Sequence, residues 1–234
     1  MQDAHVNTRE SNNNHCTNVV TSSVITNIVH VINITFVILI VYLSLCGDFV
    51  FFTWHPILLS VGWMVFSTEG ILTLNKNNNI LKKLTEPNRI LLHWILQTIA
   101  LISITLGFLI ALKSKNDKNK SHFKTWHALF GLLGVIFAIL SGLNGISALY
   151  SNALKNLYSP KLNKFIHVLS GTLAYLFGGI SGILSVYSKW FGRKTANNSI
   201  IFGVSLILVS IVVIWTLIKP VKSVCDRFRN LISV

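Results

Sequence analysis

Six stretches of this chain, at about 24–45, 54–74, 89–112, 125–150, 163–188 and 198–218, are almost uninterrupted in their apolar character. Each is about 20 residues long or more, which is what a helix rising 1.5 Å per residue needs to cross a hydrocarbon layer roughly 30 Å thick. In lipid every backbone N–H and C=O must find a partner inside the protein, so spanning segments are helices or closed barrels. None of the six shows the period-two alternation of a barrel strand. The fold class is therefore an all-α integral membrane protein with six transmembrane helices. Composition agrees. Of 234 residues, 52% are hydrophobic and only 12% charged, whereas soluble domains carry about 25% charged residues.

The flanks are short. Residues 1–23 are polar and asparagine-rich and read as a disordered tail. Residues 24–218 form the six-helix domain, and 219–234 a basic tail. No basic-then-apolar leader precedes the first span, which is expected to act as an uncleaved signal anchor. Cys16, Cys46 and Cys225 form no C-x-x-C pair, so no zinc ribbon, disulfide framework or covalent haem attachment is expected. The net charge of +13 sits mostly in short loops, which favours lipid headgroups and small anions over nucleic acid. Twelve Lys and Arg fall on the side of the termini and eight on the other. The positive-inside rule therefore places both termini in the cytoplasm.

Four successive spans carry a histidine near their start: "FFTWHPILL", "RILLHWILQ", "FKTWHALFG" and "NKFIHVLSG". These are His55, His93, His127 and His167, each about 8–10 Å inside its helix. Successive spans are antiparallel, so His55 and His127 share an outer level and His93 and His167 an inner one, about 20 Å away. Ionisable groups inside spans are costly and mark function. Two imidazoles at each of two depths suit two metal centres in which an iron has both axial positions filled, a state fitted to electron transfer. Small residues follow two of these histidines at helical spacing: Gly131, Gly134, Ala138, Ser141 or Gly142, and Gly145 after His127, and Gly171, Ala174, Gly178 and Gly182 after His167. They are read as room for a planar macrocycle, with close helix packing as the alternative. His30 lies on a bulky face and reads as a packing histidine. Glu69, fourteen residues after His55, falls at the inner level. It is expected to accept a hydrogen bond from an inner imidazole, to relay protons, or to lie among headgroups. Trp54, Trp94 and Trp126 read as an interfacial belt.

With "WHP", "LHW", "WHALFG" and "FIHVLSGTLAYLFG" in spans two to five, the chain resembles the cytochrome b561 family over about residues 24–218, most strongly over 51–190. Within it the chain is similar to the short transmembrane-reductase type, sharing "TEG" at the end of span two and a histidine, His122, five residues before His127. The resemblance implies two non-covalent b-type haems, one held by His55 and His127, the other by His93 and His167. It implies cytoplasmic ascorbate as donor, and monodehydroascorbate or ferric iron as acceptor on the far side. The chain would then be an ascorbate-dependent transmembrane reductase, placed in an endoplasmic reticulum or vesicle membrane. Family members are often homodimers, which leaves that state open here. Ascorbate is an anion, so Lys82, Lys83, Arg89, Lys161 and Lys164 are the candidate donor-binding residues around the inner centre. His122 and Lys124 are the candidates on the acceptor side. Two positions depart from well-known members: Leu91 and Pro87 stand where those carry basic residues, two and six before His93, while Lys161, six before His167, matches. Three other readings of the histidines stay open: an anchor feeding a partner redox protein, a haem-free metal or proton transporter, and a scaffold without cofactor.

Overall fold

The computed structural model describes residues 2–75, 83–156 and 159–233, with side chains from Ser23 onward. Among the described residues all regular structure is helical. Among the described residues six helices are long and apolar enough to cross a membrane: Ser23–Leu45, Phe51–Thr73, Glu86–Asn116, Trp126–Leu149, Pro160–Ser185 and Ser199–Ile232, here spans one to six. A short helix, Lys189–Lys194, joins the last two.

Local chemistry sets the span starts. Pro87 and Pro160 occupy the first turns of spans three and five, where a missing N–H costs nothing because no intrahelical acceptor is available. The Thr125 hydroxyl accepts from the Ala128 N–H at 3.2 Å and so caps span four. Asn198 Oδ1 does the same for span six, accepting from Ile200 and Ile201 at 2.9 and 3.0 Å.

Both flanks are helical. The first helix runs from Gln2 to Leu45, so the stretch expected to be disordered continues the helix of span one. A helix nucleated by an apolar span extends at one hydrogen bond per residue, which a polar stretch can follow. The helix of span six continues through Pro220 to Ile232, so the basic segment from 219 is helical. Proline removes one hydrogen bond, a loss that membrane helices tolerate. The extension remains on the bundle, with the Phe228 ring 6.1 Å from that of Phe165 in span five.

Spans two and three form one antiparallel pair and spans four and five another. Packing is extensive within each pair and sparse between them, while spans one and six cover the outside. At mid-depth the gap between pairs is closed by Trp63, 6% exposed. A Cβ on Gly134 would lie 2.9 Å from the Gly178 nitrogen, and one on Gly178 2.6 Å from the Trp63 ring. At Gly134 and Gly178 the small stripe serves the close approach of spans four and five and the seating of Trp63.

Span two is irregular. Its α-helix gives way to a π turn over Val61–Ser67, where side chains take up the displaced carbonyls. Asn33 donates to the Met64 carbonyl, Thr68 to that of Trp63 at 3.1 Å, and Gln97 to that of Ser67 at 3.1 Å. Such a turn inserts one residue into a helix.

Candidate functional site

The four expected histidines meet in twos across the gap between the helix pairs. The rings of His55 and His127 have centroids 6.3 Å apart and planes at 89°. Those of His93 and His167 are 6.4 Å apart at 87°. All four side chains are half-buried.

Each imidazole is held by a carbonyl of the other helix in its own pair. His55 Nδ1 donates to Gly107 O at 2.9 Å and His93 Nδ1 to Gly70 O at 2.7 Å. In the second pair, His127 Nδ1 donates to Ser181 O at 2.9 Å and His167 Nδ1 to Ser141 O at 3.1 Å. A carbonyl oxygen cannot donate, so the proton of each neutral ring is on Nδ1 and the lone pair on Nε2. Among the described residues no hydrogen bond engages any of the four Nε2 atoms.

The acceptors fall at a regular interval. Gly107, Ser141 and Ser181 each lie fourteen residues after the histidine of their own span, while Gly70 lies fifteen after His55. Fourteen residues are close to four helical turns, so histidine and acceptor share a face. The π turn of span two absorbs the fifteenth residue and returns Gly70 to that face. The two helix pairs therefore present the same device twice. At Gly145 a Cβ would stand 3.2 Å from the His167 ring, so that glycine makes room for the imidazole itself.

These sites fit a haem iron. A metal–nitrogen bond of about 2 Å on each side, plus about 1 Å to each ring centre, separates two axial imidazoles by about 6 Å. A ligating histidine commonly donates its other N–H to a carbonyl, as all four do here. Among the described residues no three His, Cys, Asp or Glu side chains converge. Two protein ligands per level fall short of the four that zinc takes. They suit an iron whose remaining positions are filled by a macrocycle.

Glu69 is a correction. Its carboxylate accepts from His30 Nδ1 at 2.8 Å, not from an inner imidazole; the carbonyl of its neighbour Gly70 has taken that place. The side chains of His30 and Glu69 are 14% and 26% exposed. The signal for His30 was in span one itself. Ser23, Thr26, His30 and Asn33 recur at helical spacing, and Ser23, Thr26 and Asn33 are buried, so the stripe faces the bundle. Removing one member of an intramembrane pair strands the other. In a double-mutant cycle with His30→Ala and Glu69→Gln, unfolding in detergent is expected to give a coupling of about 1–3 kcal/mol; a value near zero would mean the two side chains are merely adjacent.

The basic candidates are not equivalent. Arg89 is buried, and its guanidinium donates to the carbonyls of Leu84 at 3.1 Å, Asn75 at 3.0 Å and Thr73 at 3.4 Å. It ties the end of span two to the start of span three, and with Leu74, Leu84, Glu86 and Ile90 lines a cleft of about 400 Å³. Lys83, Lys161, Lys164 and Lys124 are exposed, and Lys82 lies outside the described residues. His122 donates from Nε2 to Asn116 Oδ1 at 2.7 Å, which leaves the lone pair on a buried Nδ1 that has no partner among the described residues. Its neighbour Phe123, at φ +53°, stacks on Phe108 with ring centroids 6.3 Å apart.

Two residues were missed. Lys115 stands near His55 and His127, and Arg227 near His167. Lys115 lies beyond the apolar stretch that ends at 112, and Arg227 within the basic segment 219–234. In both cases the helix runs further than hydropathy indicated.

A family model described as eukaryotic cytochrome b561 matches residues 54–192. The chain belongs to the eukaryotic cytochrome b561 family. Proteins named transmembrane reductase CYB561D2 are 35% identical in Bos taurus and 33% in Homo sapiens, each over 69% of this chain and 72% of the relative. One named probable transmembrane reductase CYB561D1, from Mus musculus, is 27% identical over 73% of each chain. This cytochrome b561 is accordingly a multi-pass membrane oxidoreductase that binds b-type haem and transfers electrons across the bilayer. The matched segment begins one residue before His55 and contains all four histidines. It leaves out span one, and with it His30.

Proposed function

We propose that this cytochrome b561 binds two b-type haems per chain, one between His55 and His127 and one between His93 and His167. We propose further that it passes single electrons from cytoplasmic ascorbate to monodehydroascorbate or ferric iron on the far side. The observation that carries the reading is the repeated imidazole pair: two rings about 6 Å apart at each level, every Nδ1 committed to a carbonyl and every Nε2 left with its lone pair. When bound, haem iron supplies the one-electron chemistry.

The chain supplies the rest. Its carbonyls fix the orientation of the imidazoles and strengthen them as ligands. Lys161, Lys164 and Lys83, with Arg227 close to His167, give the inner mouth a positive charge suited to an anionic donor. Arg89 holds the loop ends that border that mouth. On the other side Lys115, Lys124 and His122 are the candidates for contact with the acceptor. Both termini are cytoplasmic in this reading, and the membrane is that of the endoplasmic reticulum or a vesicle. Histidines in twos, each presenting one lone pair, favour this reading over a metal transporter, for which more ligands would converge.

The test is an absorption spectrum of the purified protein, first with ascorbate and then with dithionite. About two haems per chain and substantial reduction by ascorbate are expected. Haem that only dithionite reduces quickly would favour an anchor fed by a partner redox protein. A folded, colourless preparation would overturn the proposal.

A further inference from the structure

At three of the four histidines the Nδ1 proton meets one acceptor, a backbone carbonyl. His127 differs. Its Nδ1 lies 2.9 Å from the Ser181 carbonyl and also 3.1 Å from the Ser181 hydroxyl. That hydroxyl spends its own proton on the His127 backbone carbonyl, at 2.9 Å, so it turns a lone pair toward the ring. Ser181 is 4% exposed. It fits because span four has Gly131 opposite, where a Cβ would stand 3.1 Å from the hydroxyl oxygen. The matching residue at the inner level is Ser141. Its hydroxyl lies beside Gly171, 3.0 Å from where a Cβ would be, and among the described residues makes no hydrogen bond to His167.

Resting on the two-haem reading above, we infer that the Ser181 hydroxyl is a positioning residue that sets the two centres apart. It gives the His127 Nδ1–H a second acceptor. Hydrogen bonding there increases the basicity of the ring as a metal ligand. With haem bound, a more basic His127 would favour the ferric over the ferrous state and lower the midpoint potential of that centre alone. The carbonyl contacts are otherwise the same at the two levels, so this contact shifts the outer centre toward being the stronger reductant. Its effect is on the energy of the electron, not on retention of the cofactor.

The experiment is a redox titration of haem absorption in the intact protein, with electron paramagnetic resonance of the ferric state. It compares wild type, Ser181→Ala, Ser141→Ala and Ser181→Thr. Ser181→Ala is expected to keep the full haem content and to raise one of the two midpoints. At a fixed ambient potential, the ferrous-to-ferric ratio of that centre should rise several-fold, and its ferric signal should shift. Ser141→Ala should move neither midpoint, and Ser181→Thr, which keeps the hydroxyl, should retain the lower value. Unmoved midpoints in haem-loaded Ser181→Ala, or an equal shift in Ser141→Ala, would overturn this inference and leave the two-haem reading standing. A wild-type protein without haem would overturn both.

Discussion

His127→Ala protein is expected to hold about half the haem of the wild type and to pass electrons across a vesicle membrane at least about 100-fold more slowly, beyond the roughly 10–100-fold typical of losing a supporting hydrogen bond. His127 is one of two imidazoles at its level, and its ring lies 6.3 Å from that of His55. Without it His55 faces a gap that no other His, Cys, Asp or Glu fills among the described residues. The other level lies about 20 Å away along the helices and has its own carbonyl supports, so its haem should remain and still be reduced from the inner side. His55→Ala should resemble His127→Ala. His93→Ala and His167→Ala should instead lose the inner haem and with it reduction by ascorbate. His30→Ala should keep both haems, because its ring is committed to Glu69 at 2.8 Å. Haem per chain and the rate of reduction of an acceptor trapped inside vesicles measure all of these. Loss of haem from His30→Ala with retention in His127→Ala would show that the wrong imidazoles had been paired.

Gly134→Ala should be among the most destabilising single substitutions in the bundle. Its methyl would lie 2.9 Å from the Gly178 nitrogen and 3.0 Å from the Gly178 Cα. Backbone cannot swing aside, so spans four and five must separate. Overpacking of this kind costs about 1–3 kcal/mol, occasionally more, and here it also shifts the carbonyls of Ser141 and Ser181 relative to their histidines. Gly178→Ala meets a different obstacle, the Trp63 ring at 2.6 Å. The two variants can therefore be told apart. Trp63→Leu should restore much of the thermal stability of Gly178→Ala and little of that of Gly134→Ala. Equal rescue of both would mean that the ring, and not the backbone contact, limits the approach of the two helices.

The haem histidine candidates were legible in the linear chain because membrane helices impose a simple geometry. A fixed rise per residue converts position into depth, and antiparallel order converts parity into side. That is enough to place 55 level with 127 and 93 level with 167 from the sequence. The role of the glycines was only half legible. Spacing revealed the stripes but not whether they made room for a ligand or for a neighbouring helix, since both call for the same small residues. Hydropathy marks the apolar stretches of spans three and six as ending at 112 and 218, and their helices continue to Asn116 and Ile232. It scores side chains against lipid, whereas a helix continues wherever its backbone bonds and its packing allow, as at Lys115 and Arg227.

The sequence by itself determined six spans, two levels and which imidazoles share each level, because all three follow from length and direction along one dimension. Tertiary structure alone decided what each imidazole leans on: Gly70, Gly107, Ser141 and Ser181 through their carbonyls, and Ser181 through its hydroxyl as well. It also drew Glu69 away to His30. A backbone carbonyl is present at every residue and leaves no mark in the amino-acid code. Which one meets a ring depends on how two helices are rotated and how closely they approach, and that is settled by the packing of Trp63 against Gly178, of span four against span five, and by one extra residue in the π turn of span two.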